Sequence, residues 1–141
     1  MGFVSWFLWH GESIIASILS RIFWPPTRVV VLSVQGEKLL ALEVGDYYTL
    51  PGGFVQGKES FREAADRELR EETGLRAVEL ERIGERQEGM SGVEMVFKAK
   101  VEGDLNGSWE GKPVWINRDA VKDVKWRFDR DVESLLRKHK L

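Results

Sequence analysis

Three glutamates, Glu68, Glu71 and Glu72, fall within one five-residue window near the middle of the chain. On a helix, positions three and four apart share a face, so the Glu68 carboxylate lies beside both others. Like charges this close repel, and each raises its neighbours' pKa. A cation relieves such crowding, and the chemistry suggested is that of a divalent-metal site acting on phosphate. Just upstream, Gly52, Gly53 and Gly57 lie in a loop where the backbone can make approaches that a side chain would forbid. An acidic helix is commonly just a solvated surface, because Glu is a good helix former. The glycine loop and the spacing argue against that here.

Composition narrows the metal. The chain has no cysteine and only two histidines, His10 and His139, so thiolate and histidine-cluster sites are excluded, as are disulfides. Oxygen must supply the ligands, which favours hard cations such as Mg²⁺ or Mn²⁺. A length of 141 residues suits one domain with a continuous core. The net charge of −2 gives no electrostatic case for nucleic acid, whose binders carry a basic patch. The absence of cysteine is compatible with the cytoplasm, the expected location.

The full pattern is Gly53, five residues, Glu59, seven residues, then Arg67-Glu68-Leu69-Arg70-Glu71-Glu72-Thr73-Gly74-Leu75. It resembles the complete Nudix box, with Leu69 and Leu75 in the two aliphatic positions. At average residue usage a chance match is on the order of 10⁻⁹ per start position, which outweighs the local richness in Glu. Leu50-Pro51-Gly52 is similar to the usual lead-in, and Trp115-Ile116 to the last strand of that fold. The resemblance spans roughly Arg28 to the C-terminus. It implies an α/β fold, a mixed sheet sandwiched between helices (α/β/α), and a pyrophosphohydrolase of the MutT-like kind. The substrate would be a nucleoside diphosphate linked to another moiety, attacked by water at phosphorus. Glu68, Glu71 and Glu72 would hold Mg²⁺ or Mn²⁺, with a backbone carbonyl from Gly52 by resemblance. Glu59 and Arg67, eight apart, can form an ion pair that pins loop to helix, the structural role the resemblance implies. The general base stays open among Glu68 in the box and Glu88 and Glu94 downstream.

The same loop also reads G-x-x-x-x-G-K, from Gly52 through Gly57 to Lys58. A P-loop would continue with Ser or Thr to hold Mg²⁺, and Glu59 stands there instead. That reading is rejected, although Lys58 can still meet a substrate phosphate. The residues that mark ADP-ribose, dinucleoside polyphosphate, coenzyme A or NADH hydrolases in the family are missing. Aromatic material able to stack a base remains: Phe54, Tyr47 and Tyr48, Trp109 and Trp115. Phe54, Lys58, Tyr48 and Trp115 are the candidate substrate contacts. A nucleoside triphosphate and a nucleotide sugar both stay open, as does a silent Nudix-fold module that binds a nucleotide without cleaving it.

These residues need a frame. Ser60, followed three residues later by Glu63, is a capping-box start, and Thr73-Gly74 ends the helix with Gly74 as left-handed cap. Phe61, Ala65 and Leu69 give it a buried face. Before it, Arg28 to Val34 and Lys38 to Val44 read as strands joined by a turn at Gln35-Gly36-Glu37, and Tyr47 to Leu50 is a short extended piece. After it, Ala77 to Arg86 and Val93 to Val101 alternate as strands around the loop Gln87 to Gly92. Lys112 to Ile116 is a short strand, with Pro113 arguing for an edge. Asn117 is expected to cap a short helix through about Val124, and Asp129 to Lys140 to form a final amphipathic helix. Residues 27–141 form the Nudix domain. Residues 1–26 form an amphipathic helical extension with three of the six tryptophans, stopped by Pro25 and Pro26. It packs on the core or in a homodimer, or it touches a membrane surface peripherally; charges at Glu12 and Arg21 argue against a spanning helix.

Overall fold

A strand that is apolar on both faces must be covered on both, and Arg28–Leu32 (β1) is such a strand at the centre of the fold. In the computed structural model, which describes residues 27–87, 92–127 and 131–141, Val29 and Val31 join one apolar cluster, and Val30 and Leu32 another. The chain continues through β2 (Val34–Gln35), β3 (Lys38–Val44), β4 (Tyr47–Thr49), β5 (Gly52–Phe54), α1 (Phe61–Thr73), β6 (Arg76–Gln87), β7 (Val93–Glu102), β8 (Lys112–Asn117) and α2 (Val132–Lys138). One mixed sheet has the order β5-β1-β7-β6, with β1 parallel to β7 and the other pairs antiparallel. In the second, β8 pairs along β3 from Lys38 to Glu43, while β2 and β4 share the other edge of β3. Pro113 lies in β8, which pairs with β3 alone among the described strands, the edge position expected for a proline.

Helix α1 covers one side. Ser60 Oγ accepts from the Glu63 N–H and the Glu63 carboxylate accepts from the Ser60 N–H, the reciprocal cap expected from the sequence. Ala65 and Leu69 are fully buried, Ala64 joins them, and Phe61 packs partly buried at the rim. At the far end Gly74 adopts φ 76° and donates to the Arg70 carbonyl. A Cβ there would also come within 2.7 Å of Asn106 Cβ, so glycine is required twice over. The Asn106 N–H then bonds the Thr73 carbonyl at 2.8 Å, which fastens the β7–β8 connection to the end of α1.

The other side is covered by α2 and by Trp126, whose indole N–H donates to the Val121 carbonyl at 2.8 Å. Together the layers form the α/β/α arrangement. Three local expectations shift. Asn117 ends β8 opposite Lys38 and makes no side-chain cap; a single 3₁₀ turn, Arg118–Ala120, follows in place of a helix to Val124. The Arg118 N–H donates to the Glu37 carbonyl at 2.6 Å, which holds the end of β8 to the turn between β2 and β3. Among the described residues α2 is shorter than Asp129 to Lys140, with Asp131 as its cap, bonded to the Ser134 N–H at 2.9 Å. Strand β6 extends to Gln87 because β7 pairs with it throughout, across two register shifts. The extension 1–26, Glu88 and the loop tip at Met90 and Ser91 lie outside the described residues. No helix among the described residues is long and apolar enough to cross a membrane.

Leu69 is 0% exposed at the middle of the α1 contact. Leu69→Ala should therefore cost about 2–5 kcal/mol, seen as a lower urea midpoint with an unchanged m-value. A loss within about 0.5 kcal/mol, as at surface sites, would show that α1 is not seated through this residue.

Candidate active site

Glycine lets α1 press its carboxylates onto the backbone of β5. A Cβ on Gly52 would overlap the Val29 carbonyl oxygen, and one on Gly53 would overlap the Glu68 carboxylate, with the Glu68 Cδ only 2.7 Å away. The Gly52 N–H donates to Glu72 Oε1 at 3.2 Å. Glu68 and Glu72, one turn apart, are 8% and 4% exposed, an uncommon position for two carboxylates.

Arg67 fills the seam between loop and helix. Its Nε and Nη2 donate to the two Glu59 oxygens at 3.0 and 2.7 Å, the two-pronged geometry that suits guanidinium and carboxylate. Nη2 also reaches the Phe54 carbonyl at 3.2 Å, and Nη1 reaches Glu68 Oε1 at 2.9 Å and Glu71 Oε2 at 3.2 Å. The Arg67 hydrogen bond holds the Glu59 carboxyl below the usual range, and the Arg67 pKa is raised in return. A helix turns about 100° per residue, so Arg67 and Glu71 form one column and Glu68 and Glu72 the next. Glu71 accordingly leans toward Arg67, with its side chain 61% exposed.

The third carboxylate beside Glu68 and Glu72 is Glu110, from the β7–β8 connection; one oxygen from each of the three lies within 4.8 Å of the others. Ser108 and Gly111 exchange backbone hydrogen bonds at 3.3 and 3.4 Å, and Ser108 Oγ accepts from the Glu110 N–H at 3.2 Å. Gly111 sits so tightly that a Cβ would lie 2.9 Å from Val44 Cγ2. Burial, then the hydrogen bond and charge of Glu68 and the charge of Glu110, push the Glu72 carboxyl up to about 9 against the pull of the Gly52 N–H. Near neutral pH Glu72 thus carries a proton that an arriving cation would displace. An all-oxygen donor set in this state fits a hard divalent ion. The three carboxylates open into a cleft of about 670 Å³ lined also by Arg28, Leu50, Phe54, Trp109 and Arg127.

The residues singled out from sequence distribute unevenly around this centre. Gly52, Glu68, Glu72 and Phe54 line the cleft, while Glu59, Arg67 and Glu71 form the ionic network beside it. Lys58 lies exposed on the turn after Gly57, away from the cleft lining. Tyr48 packs toward Trp126, ring centroids 6.2 Å apart, and Trp115 packs against the cluster beneath α1. Glu94 is buried in β7 with Arg86 Nη2 at 2.7 Å, off the cleft lining. Glu110 carries no sequence signal of its own, being a lone acid in a polar, glycine-bearing connection.

A family model described as the NUDIX domain matches residues 24–137. No curated protein sequence matches the chain. Among solved structures, the MutT mutator protein of Bacillus halodurans is 24% identical with a TM-score of 0.67, covering 82% of this chain and 81% of that one. A MutT from work on Aliivibrio salmonicida and Vibrio cholerae is 18% identical with a TM-score of 0.69, over 80% and 98%. A MutT NUDIX hydrolase from Burkholderia pseudomallei is 17% identical with a TM-score of 0.66, over 83% and 98%. At these identities the likeness is one of fold.

A carboxyl raised from 4.5 to about 9 leaves the folded state holding more protons than the unfolded chain between those values. That contribution to stability is full below the unfolded value and is lost as pH rises toward about 9. The urea midpoint of metal-free protein should decline across this window, and Glu72→Gln should flatten the decline. Mn²⁺ binding at neutral pH should release protons, read as a dependence of calorimetric heat on the buffer's ionisation enthalpy. A wild-type midpoint insensitive to pH would contradict the assignment.

Proposed function

Because the chain belongs to the Nudix hydrolase family, we propose that it is a metal-dependent pyrophosphohydrolase acting on a nucleoside diphosphate linked to another moiety, a nucleoside triphosphate or a nucleotide sugar. The observation that carries this reading is the convergence of Glu68, Glu72 and Glu110 on one side of an open cleft. These three would hold Mg²⁺ or Mn²⁺. Once bound, the ion would neutralise phosphate charge, orient the diphosphate and lower the pKa of the attacking water.

The chain's own groups do the remaining work. Arg67 fixes the position of the Glu68 carboxylate while tying the Phe54 carbonyl and Glu59 to the same guanidinium. Arg28 and Arg127 supply positive charge at the cleft for substrate phosphate. The proton of the attacking water goes to a carboxylate facing the cleft. Glu94 is turned to Arg86, and Glu68 already accepts from Arg67. Glu110 would give the ion one oxygen and keep the other for that proton, and it is exposed to the solvent from which the water comes, which favours it over Glu68 and Glu94 as the base. A silent binding module would gain nothing from burying Glu68 and Glu72 together.

A panel of nucleoside triphosphates and nucleotide sugars, assayed with Mg²⁺ and with Mn²⁺ and with products identified, should yield one or more substrates whose hydrolysis stops on chelation. Glu68→Gln and Glu72→Gln should each lower kcat/KM by about 10²-fold or more, with circular dichroism unchanged. Glu110→Gln should lower kcat by about 10²–10⁴-fold, the usual range for loss of a general base. Unchanged turnover in the first two variants would sink the proposal.

A further inference from the structure

Trp109 is 93% exposed, an indole held almost wholly in water. A lone exposed apolar side chain is ordinary, but one that lines a cleft beside converging polar groups is a candidate binding face. Trp109 lines the same cleft as Glu68, Glu72 and Glu110. Its placement is built. Trp109 and Glu110 are the two central residues of the turn that Ser108 and Gly111 close with their paired backbone bonds. That turn is anchored on one side by the Asn106–Thr73 bond and on the other by Gly111 pressed against Val44. The anchoring that delivers the Glu110 carboxylate to its partners also holds the neighbouring indole in the open. A second aromatic face lines the cleft at Phe54, 49% exposed, with the Arg28 guanidinium 4.9 Å from its ring centroid.

We propose that Trp109 is the specificity-determining residue of this site, stacking on the aromatic base of a nucleoside whose phosphates lie at the adjacent carboxylates. The position of the phosphates rests on the hydrolase reading above; the stacking contact does not. The substrate class is then nucleoside phosphates of any base, since every base offers a π-face to an indole. Diphosphates lacking a base, such as prenyl or polyol diphosphates, are disfavoured. Phe54, made more attractive to cations by its ring face, keeps Arg28 at the cleft wall for the phosphate or ribose side.

Titration calorimetry with the nucleoside 5′-monophosphates of adenine, guanine, cytosine and uracil, in Mg²⁺ buffer, tests the contact without turnover. Trp109→Ala should raise Kd roughly 5- to 150-fold for all four, Trp109→Phe should recover most of the loss, and ribose 5-phosphate should bind wild type more weakly than any of them. In turnover, the ratio of kcat/KM for a nucleoside triphosphate to that for inorganic tripolyphosphate should fall by a similar factor in Trp109→Ala. Equal nucleotide affinity in wild type and Trp109→Ala overturns the inference, as does a wild type that binds no nucleoside monophosphate. If nothing is hydrolysed, the hydrolase reading fails, and the calorimetric series still decides the role of Trp109.

Discussion

Glu68 and Glu72 lie one helical turn apart with almost no exposure, held against the backbone of Gly52 and Gly53. Placing two acids together out of water is costly unless charge is compensated, and neutralising one by protonation is the least expensive response in the absence of a cation. The raised Glu72 pKa is that response. Around it the packing leaves little freedom: a Cβ at Gly52 would meet the backbone of β1, one at Gly53 would displace the Glu68 carboxylate, and β5 is held by β1, the strand covered on both faces. The core therefore presses the two carboxylates together, and the resulting tension makes the site receptive to a divalent ion.

Arg67 is the compensating charge next door. With five donors in a rigid plane, it binds Glu59, Glu68, Glu71 and the Phe54 carbonyl at once. A lysine could not span these acceptors, since its ammonium is a point charge without the fork geometry. The loop that follows the last sheet pairing at Phe54 is thereby tied to the helix through the side chain of Glu59. This separates two jobs within one acidic helix. Arg67 binds the loop with Glu71 set against it, and the Glu68–Glu72 column faces the cleft.

The third carboxylate comes from a different part of the chain. The connection after β7 passes the end of α1, bonds to it at Thr73, and turns back at Trp109-Glu110 before entering β8. One tight turn thus sets an acid beside the buried pair and an indole beside open water. An acid and an indole on one anchored turn keep a fixed relation to each other, which a long free loop would not give.

Much of this was legible in residue order. The Ser60–Glu63 cap, the Gly74 stop, the doubly apolar β1 and the adjacency of Glu68 and Glu72 follow from helix and strand periodicity, which depends on near neighbours alone. The pairing of Glu59 with Arg67 across the helix start was likewise within reach of spacing. Local pattern did not separate Glu71 from Glu68 and Glu72, because all three are close in sequence and only the seating of α1 on β1 and β5 decides which column faces the glycines. It gave no hint of Glu110, and it placed Tyr48 and Trp115 on equal footing with Phe54. Those distinctions depend on how β7 returns past α1 and on which aromatic rings the two cores cover. Such contacts join residues far apart in the chain, and their geometry is set by sheet order and packing, which no window of the sequence contains.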